Sequence, residues 1–588
     1  MAEEQVQKPK TTRRLLSYLG RHKGRMILAF LLILVGVACY ALAPFFVGQT
    51  VNGLGDILTN GYSDEAYDFF MLMLILMTAS YLIYAVLSYL SNLLIISASQ
   101  DAIYDLREEV DRKIGRLPLN YYDTTTYGDI LARLTNDVEI ISQCFQQAIF
   151  EIIKGAFTVI FVFIMMMILS PWLTLVGLIS IPIALFISGK ITTKSQVFFD
   201  TQMDKTGELN GYVEEYYSGH NVVSLFGKER FVGRRFEEIN EELHVASDKG
   251  QFLAATLYPI ILGANNTGYA LVCFTGAIMA VLGGLSVGMI QAFAQYLTQF
   301  STPINTVMEL VTIMQQTGSS SKRVFEFLDE EEEVPETDNP QFPEKLEGEV
   351  EFDHVRFGYL PHQTLISDLN ITVHPGEKTA IVGPTGAGKT TLVNLIMRFY
   401  DVKGGAIRID GVDIRDMKRE DLRKIFGMVL QETWLYSGTI MDNIRYGKLD
   451  ATDEEVIAAA KAAHADAFID TLPGGYHFIL QEGASNIAQG QRQLLTIARA
   501  MLNDPPIMIL DEATSSVDTR TEVLIQKAME NMMHGRTSFV IAHRLSTIKD
   551  ANKILYMQDG DILEVGTHDE LMAKDGLYAK LYNSQFAD

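Results

Sequence analysis

"KTAIVGPTGAGKTTLVNLIMRFY", residues 378–400, decides the fold of half this chain. The apolar run KTAIV reads as a short strand, and "LVNLIMRFY" is apolar at helical period. Between them lies a G-x4-G-K-T loop made of Gly383, Pro384, Thr385, Gly386, Ala387, Gly388, Lys389, Thr390 and Thr391. Glycines let backbone N–H groups come close to phosphate oxygens at a helix start, Lys389 has the reach for the β and γ phosphates, and Thr390 offers a hydroxyl to Mg²⁺. The expectation is an α/β domain with a nucleoside triphosphate site.

Further along, "PPIMILDEATSSVD", residues 505–518, holds four apolar residues, Ile507 to Leu510, that read as a strand lying beside the first. That strand would deliver Asp511 to a metal ion and place Glu512 to polarise an attacking water. An acidic pair after a strand is also what a helix cap needs, so the pair is read together with "MVLQET" at Gln431, "FVIAHRLS" at His543 and "GASNIAQGQRQ" at residues 483–493.

The rest of the chain has another texture. At 588 residues it exceeds what one core organises. Up to about Ser320 it is dominated by long apolar runs, and "FLDEEEEVPETDNPQFPEK", residues 327–345, cannot bury a face and reads as a linker. A net charge of −24 argues against a nucleic-acid partner. Cys39, Cys144 and Cys273 fall in or beside apolar runs and read as packing residues, without a disulfide framework. No cleavable signal is expected in the leading "MAEEQVQKPKTTRRLLSYLGRHKGR".

Six stretches have the length to cross a bilayer, near 26–48, 68–96, 146–169, 172–192, 256–282 and 286–312. The joints after the first, third and fifth carry no Lys or Arg and are expected outside; the basic N-terminal stretch, Asp101–Gln143 and Thr193–Gly250 are expected in the cytoplasm. Both inner segments are long, polar and helical in pattern, with bends near Pro118–Gly128 and Ser218–Gly219, so their tips are placed to dock on a soluble unit. The sixth span carries Gln291, Gln295 and Gln299 four residues apart, a polar stripe that serves either hydrogen bonding within the bundle or the wall of a pathway. Asn265, Asn266 and Glu309 are further wall candidates, while Met165, Met166 and Met167 read either as lipid-facing or as a pliable cavity lining.

Taken together, these motifs resemble the ATP-binding cassette transporters over essentially the whole length, in the exporter arrangement where six spans precede the nucleotide domain. The resemblance implies a polytopic α-helical membrane domain with long cytoplasmic helical extensions, residues 1–320 with an N-terminal elbow helix and two intracellular loops. It implies an acidic linker at 321–345 and an α/β P-loop nucleotide-binding domain with a helical subdomain at 346–588. It further implies that Tyr359 in "VRFGY" stacks on adenine, Gln431 senses Mg²⁺ and water, His543 contacts the γ-phosphate and Asp518 belongs to a loop at a dimer seam. ATP and Mg²⁺ are the implied cofactors, with Thr390, Gln431 and Asp511 toward the metal and Glu512, His543 and Gln431 as the catalytic set. The implied location is the cell membrane, bacterial and plasma, with the nucleotide domain in the cytoplasm.

In this family two nucleotide domains meet head to tail, and each ATP also touches the other chain's signature turn, usually L-S-G-G-Q. Here the turn reads Ile487, Ala488, Gln489, Gly490, Gln491, so Ala488, Gly490 and Gln491 would act on a partner's ATP without the usual hydroxyl. A chain with a complete catalytic set and a weakened signature is expected to pair with a different half-transporter subunit that supplies the intact signature. The expected activity is ATP-driven multidrug efflux of small amphiphilic molecules by alternating access. A homodimeric lipid flippase or exporter is the alternative, and an ATP-gated channel or regulatory subunit is the remaining one. Glu214 and Glu215 at an inner bend read as solvated helix residues or as part of the coupling.

Overall fold

The computed structural model describes residues 11–360, 363–430, 433–511, 517–542 and 545–586. The chain divides into two compact units, one running up to Gly115 and from Tyr127 to Glu330, the other from Arg116 to Thr126 and from Glu331 onward.

Among the described residues, the secondary structure of the first unit is helical. Among the described residues, Lys23–Asn60, Asp64–Ile114, Tyr127–Leu169 and Pro171–Ser218 are long and apolar enough to cross a membrane. The remaining two expected spans fall on the helices Leu257–Val281 and Val287–Leu328, where Asn265, Asn266 and the three glutamines lower the apolarity. Helix starts follow local chemistry: the hydroxyls of Ser63, Ser170 and Ser286 each accept a hydrogen bond from a backbone N–H in the first turn, and Pro171 occupies the position where its missing N–H costs nothing. The helix Asp64–Ile114 has 51 residues, a rod of about 75 Å that outruns any bilayer. The N-terminal helix Thr11–Arg21 buries Leu15, Tyr18 and Leu19, and the Tyr18 hydroxyl donates to Glu109 at 2.7 Å. Helix Val287–Leu328 runs past residue 321, where the sequence places the start of the linker.

Among the described residues the second unit contains twelve strands: β1 (Val350–Phe357), β2 (Ile366–Val373), β3 (Lys378–Val382), β4 (Gly404–Ile409), β5 (Val412–Asp413), β6 (Phe426–Val429), β7 (Gly438–Thr439), β8 (Ile479–Leu480), β9 (Ile507–Asp511), β10 (Thr537–Ile541), β11 (Lys553–Gln558) and β12 (Asp561–Gly566). An antiparallel sheet has the order β2-β1-β4-β5, and the central sheet the order β12-β11-β3-β10-β9-β6, parallel except for β12. The central strands bury both faces. Ala380, Val382, Met508, Leu510 and Val540 enter one core, and their neighbours Ile381, Ile507, Ile509, Phe539 and Ile541 enter the other. Burying each such aliphatic or aromatic side chain contributes about 1.5–3 kcal/mol.

One expectation is corrected by this order: β9 does not lie beside β3, because β10 stands between them. All three strands are short, apolar runs buried on both faces, so hydrophobicity alone cannot rank them across a parallel sheet. The effect is that Asp511 and the loop after β3 reach the same sheet edge from strands two positions apart.

Residues 116–126, the tip of the first inner segment, cluster with this second unit. The short helix Leu119–Thr124 carries Asp123, which accepts a hydrogen bond from the Tyr400 hydroxyl, and the Glu333 N–H donates to the Arg116 carbonyl at 2.8 Å.

Candidate functional site

The loop after β3 is shaped by its glycines. Gly386 and Gly388 take positive φ values of +85° and +98°, the left-handed region that a side chain disfavours. Gly383 is needed for another reason: a Cβ there would lie 2.0 Å from the Met557 carbonyl oxygen of β11. The turn closes with Ala387 N–H donating to the Pro384 carbonyl at 3.2 Å, and the helix Lys389–Ile396 begins at once. Pro384, Thr385, Gly386 and Thr390 are exposed, while Ala387 and Thr391 are buried beneath them. The Lys389 ammonium donates to the carbonyls of Gly383 and Pro384 at 2.7 and 2.9 Å, so it already lies along the loop. Burial holds its pKa below the ordinary lysine value, and the nearby Asp511 carboxylate works against that shift.

Asp511 ends β9, and its charge acts on Lys389 across the sheet edge. One carboxylate and the Thr390 hydroxyl are few ligands for a resident metal. They suit a Mg²⁺ that arrives held by phosphates, which is how this ion is usually bound. Gln431, Glu512 and His543, the three residues assigned to the chemistry, lie outside the described residues.

Tyr359, assigned to adenine, is 42% exposed and sits in a ring cluster. It packs edge-on against Phe357 and Tyr400, each at 5.1 Å, and its hydroxyl shares a hydrogen bond with Thr391 at 3.0 Å. The sequence reading missed Tyr400. It closes the helical pattern after the loop, where a tyrosine looks like ordinary core, and only the fold shows it bracing Tyr359 on one side and bonding Asp123 on the other.

At the second helix start, Gln489–Leu502, Ala488 is the N-cap in extended conformation with ψ 154° and an exposed methyl. The Gln491 side chain reaches back to accept the Ala488 N–H at 3.0 Å, half of a capping box whose other half needs the absent hydroxyl. Gly490 is buried; a Cβ there would lie 2.5 Å from Thr521 and 2.8 Å from Val517. That contact joins the signature turn to the loop bearing Asp518. The Asp518 carboxylate N-caps the helix Thr519–Met533 by accepting from the Thr521 N–H at 3.0 Å, and this bond holds its pKa down. The signature helix is pinned further along by Arg499, which donates to the Asn443 and Trp434 carbonyls at 2.8 and 3.0 Å and so ties it to the segment that follows Gln431.

Comparison with known proteins finds relatives over nearly the whole chain. Residues 26–304 match the model of the ABC transporter transmembrane region, and residues 366–515 the ABC transporter model. The chain is 45% identical over 508 residues, 86% of its length and 80% of the relative's, to a fatty acid ABC transporter ATP-binding/permease protein of Mycobacterium bovis. It is 35% identical over 537 residues, 90% of its length and 92% of the relative's, to an ATP-dependent lipid A-core flippase of Desulfotalea psychrophila. A solved structure of a bacterial Atm1-family ABC exporter with ATP bound superposes with a TM-score of 0.75 at 28% identity, covering 96% of this chain and 99% of that one.

Proposed function

This chain belongs to the ATP-binding cassette transporters, and from that premise we propose that it is the hydrolytic half of a mixed two-chain exporter of small amphiphilic molecules. It is a half-transporter with its membrane helices and ATP-hydrolysing unit fused; such halves work as dimers, and ATP hydrolysis drives the transport. The protein is a multi-pass membrane protein with the nucleotide unit in the cytoplasm.

The observation that carries the mixed pairing is the contrast between the glycine loop ending in Lys389 and the N-cap at Ala488, where a methyl stands in place of a hydroxyl. A hydrogen bond to a charged group is worth about 1.5–3 kcal/mol, so a partner's ATP would be held by the Gly490 region's amides and the helix dipole alone. On this reading the six spans form residues 1–320, the linker runs 321–345, and the nucleotide domain 346–588. Tyr359 stacks on adenine, the loop from Gly383 to Thr391 grips the phosphates, and Thr390, Gln431 and Asp511 face Mg²⁺. The metal, when bound, neutralises phosphate charge. Glu512 takes the proton of the attacking water, His543 steadies the γ-phosphate, and Asp518 holds the loop at the seam. Closure of the two nucleotide domains moves the cytoplasmic helix tips and opens the bundle outward.

The test is to purify the chain alone and with its co-expressed partner half. ATP hydrolysis and uptake of fluorescent amphiphilic cations into inverted vesicles are expected only from the pair; vigorous hydrolysis by the isolated chain sinks the mixed pairing. A homodimeric exporter of lipid-like molecules is the second reading, favoured by two relatives named for a fatty acid and for lipid A-core.

A further inference from the structure

Pro44 lies inside helix Lys23–Asn60 and Pro303 inside helix Val287–Leu328. Lacking an N–H, each proline removes the hydrogen bond that would reach the carbonyl four residues back, that of Tyr40 and that of Gln299. The first loss is repaired from the neighbouring helix: Gln299 Nε2 donates to the Tyr40 carbonyl at 3.3 Å, and the Tyr296 hydroxyl donates to the Ala41 carbonyl at 2.9 Å. This turns the Gln299 amide nitrogen toward Tyr40 and leaves its oxygen at the other end. Gln299 is 6% exposed, and its Oε1 is buried without a hydrogen bond from the chain. Gln295, one turn earlier, leaves its Oε1 in the same condition. Buried amide oxygens without donors are costly, and two within one helical turn call for a reason. The Tyr40 ring stacks on Tyr84 at 4.5 Å, an aromatic wall beside the repaired carbonyl. Counted from Val287, the two glutamines lie about 12 and 18 Å along the helix, near the middle of a ~30 Å apolar layer.

We propose that Gln295 and Gln299 form an acceptor-only subsite at mid-membrane that selects transported amphiphiles by the hydrogen-bond donors on their head group, primary ammonium above all. The inference rests on the transport reading above. The match is in kind: an ammonium head presents only N–H donors, and the two amide oxygens present only acceptors. A trimethylammonium head has the same charge and no donor, and a carboxylate brings only further acceptors. Gln299 thereby serves both readings of the glutamine stripe, its nitrogen bonding the neighbouring helix and its oxygen, with that of Gln295, assigned to the pathway.

The experiment uses the full-length protein, with its partner half if pairing is needed, in liposomes. Transport-coupled ATP hydrolysis is measured against dodecylamine, dodecyltrimethylammonium and dodecanoate. The ammonium form of dodecylamine should half-stimulate at a concentration about ten-fold or more below its trimethyl homologue, and this ratio should shrink to within about two-fold in Gln295→Leu and in Gln299→Leu. If Gln299→Leu fails to fold because Tyr40 loses its donor, Gln295→Leu alone reads the ratio. A ratio near one in the unsubstituted protein, a ratio unmoved by Gln295→Leu, or stronger stimulation by dodecanoate overturns the subsite. If all three probes are handled alike, the transport reading stands and the subsite falls; if none stimulates, the amphiphile reading falls as well.

Discussion

The helices Lys389–Ile396 and Gln489–Leu502 both begin at a glycine-bearing turn, and they begin differently. The first starts from Gly388 in the left-handed region, so the loop curls back on itself and presents amides together with a lysine. The second starts from Ala488 in extended conformation, with one amide satisfied by Gln491, no hydroxyl at the cap, and its cation, Arg492, turned back onto the Gly483 carbonyl at 3.1 Å. Helix N-termini attract anions by their unsatisfied N–H groups and dipole, so both ends retain that pull. What differs is the side-chain supplement, and the loss of a cap hydroxyl costs the fold only about 0.5–2 kcal/mol. The loop after β3 is a device of geometry; the turn at Ala488 is an open helix end whose pull on an anion a single residue can adjust.

The largest effect tests the stronger end. Glu512→Gln should lower ATP hydrolysis by about 10²–10⁴-fold, the usual worth of a placed general base, while ATP binding stays within a few-fold. Phosphate release and nucleotide binding, measured on the same preparation, separate the two. Hydrolysis at the unsubstituted rate removes Glu512 from its role and with it the claim that this chain carries the hydrolytic half.

A smaller effect tests the weaker end. Ala488→Ser restores the hydroxyl to an exposed N-cap and should leave the fold unchanged. If two copies of this chain pair, ATP binding in the Glu512→Gln background should tighten by up to about ten-fold. In a mixed pair the gain appears only at the site built on the partner's phosphate loop, and the isolated chain shows none. The result therefore decides between the two pairings as well as measuring the hydroxyl.

How much of this was legible beforehand differs between the two ends as well. The loop from Gly383 to Thr391 is contiguous, and Gly386 and Gly388 have a local backbone reason, so sequence spacing carried most of its geometry; Gly383 answers instead to the Met557 carbonyl of a distant strand. Asp511 was recognisable, but its strand was placed one position too close to β3, because identical apolar runs do not encode their order in a parallel sheet. Tyr400, Arg499 and the contact of Gly490 with Thr521 were illegible, since each joins residues distant in sequence and looks like routine core or helix surface until the fold is known. The glutamine stripe was visible as a pattern. The bond that orients Gln299 was not, because it answers to Pro44 on another helix, whose missing N–H leaves the Tyr40 carbonyl to the Gln299 amide.

The smallest effect returns to the lysine that distinguishes the two helix starts. Burial disfavours the charged form of Lys389, so its pKa in the nucleotide-free protein lies below the ordinary lysine value despite Asp511. A triphosphate beside it favours the ammonium and raises that pKa. Binding is then coupled to proton uptake wherever the free site is partly deprotonated. ATP affinity should be level below the depressed pKa and decline, by about two- to three-fold per pH unit and never beyond the ten-fold limit for one proton, as pH rises through it toward the ordinary lysine value. Calorimetry in buffers of different ionisation enthalpy, run in the alkaline range where the triphosphate itself no longer titrates, reads the uptake directly. Lys389→Met should abolish the slope along with much of the affinity. An equal slope in that variant would place the titrating group elsewhere and leave the two helix starts distinguished by glycine geometry alone.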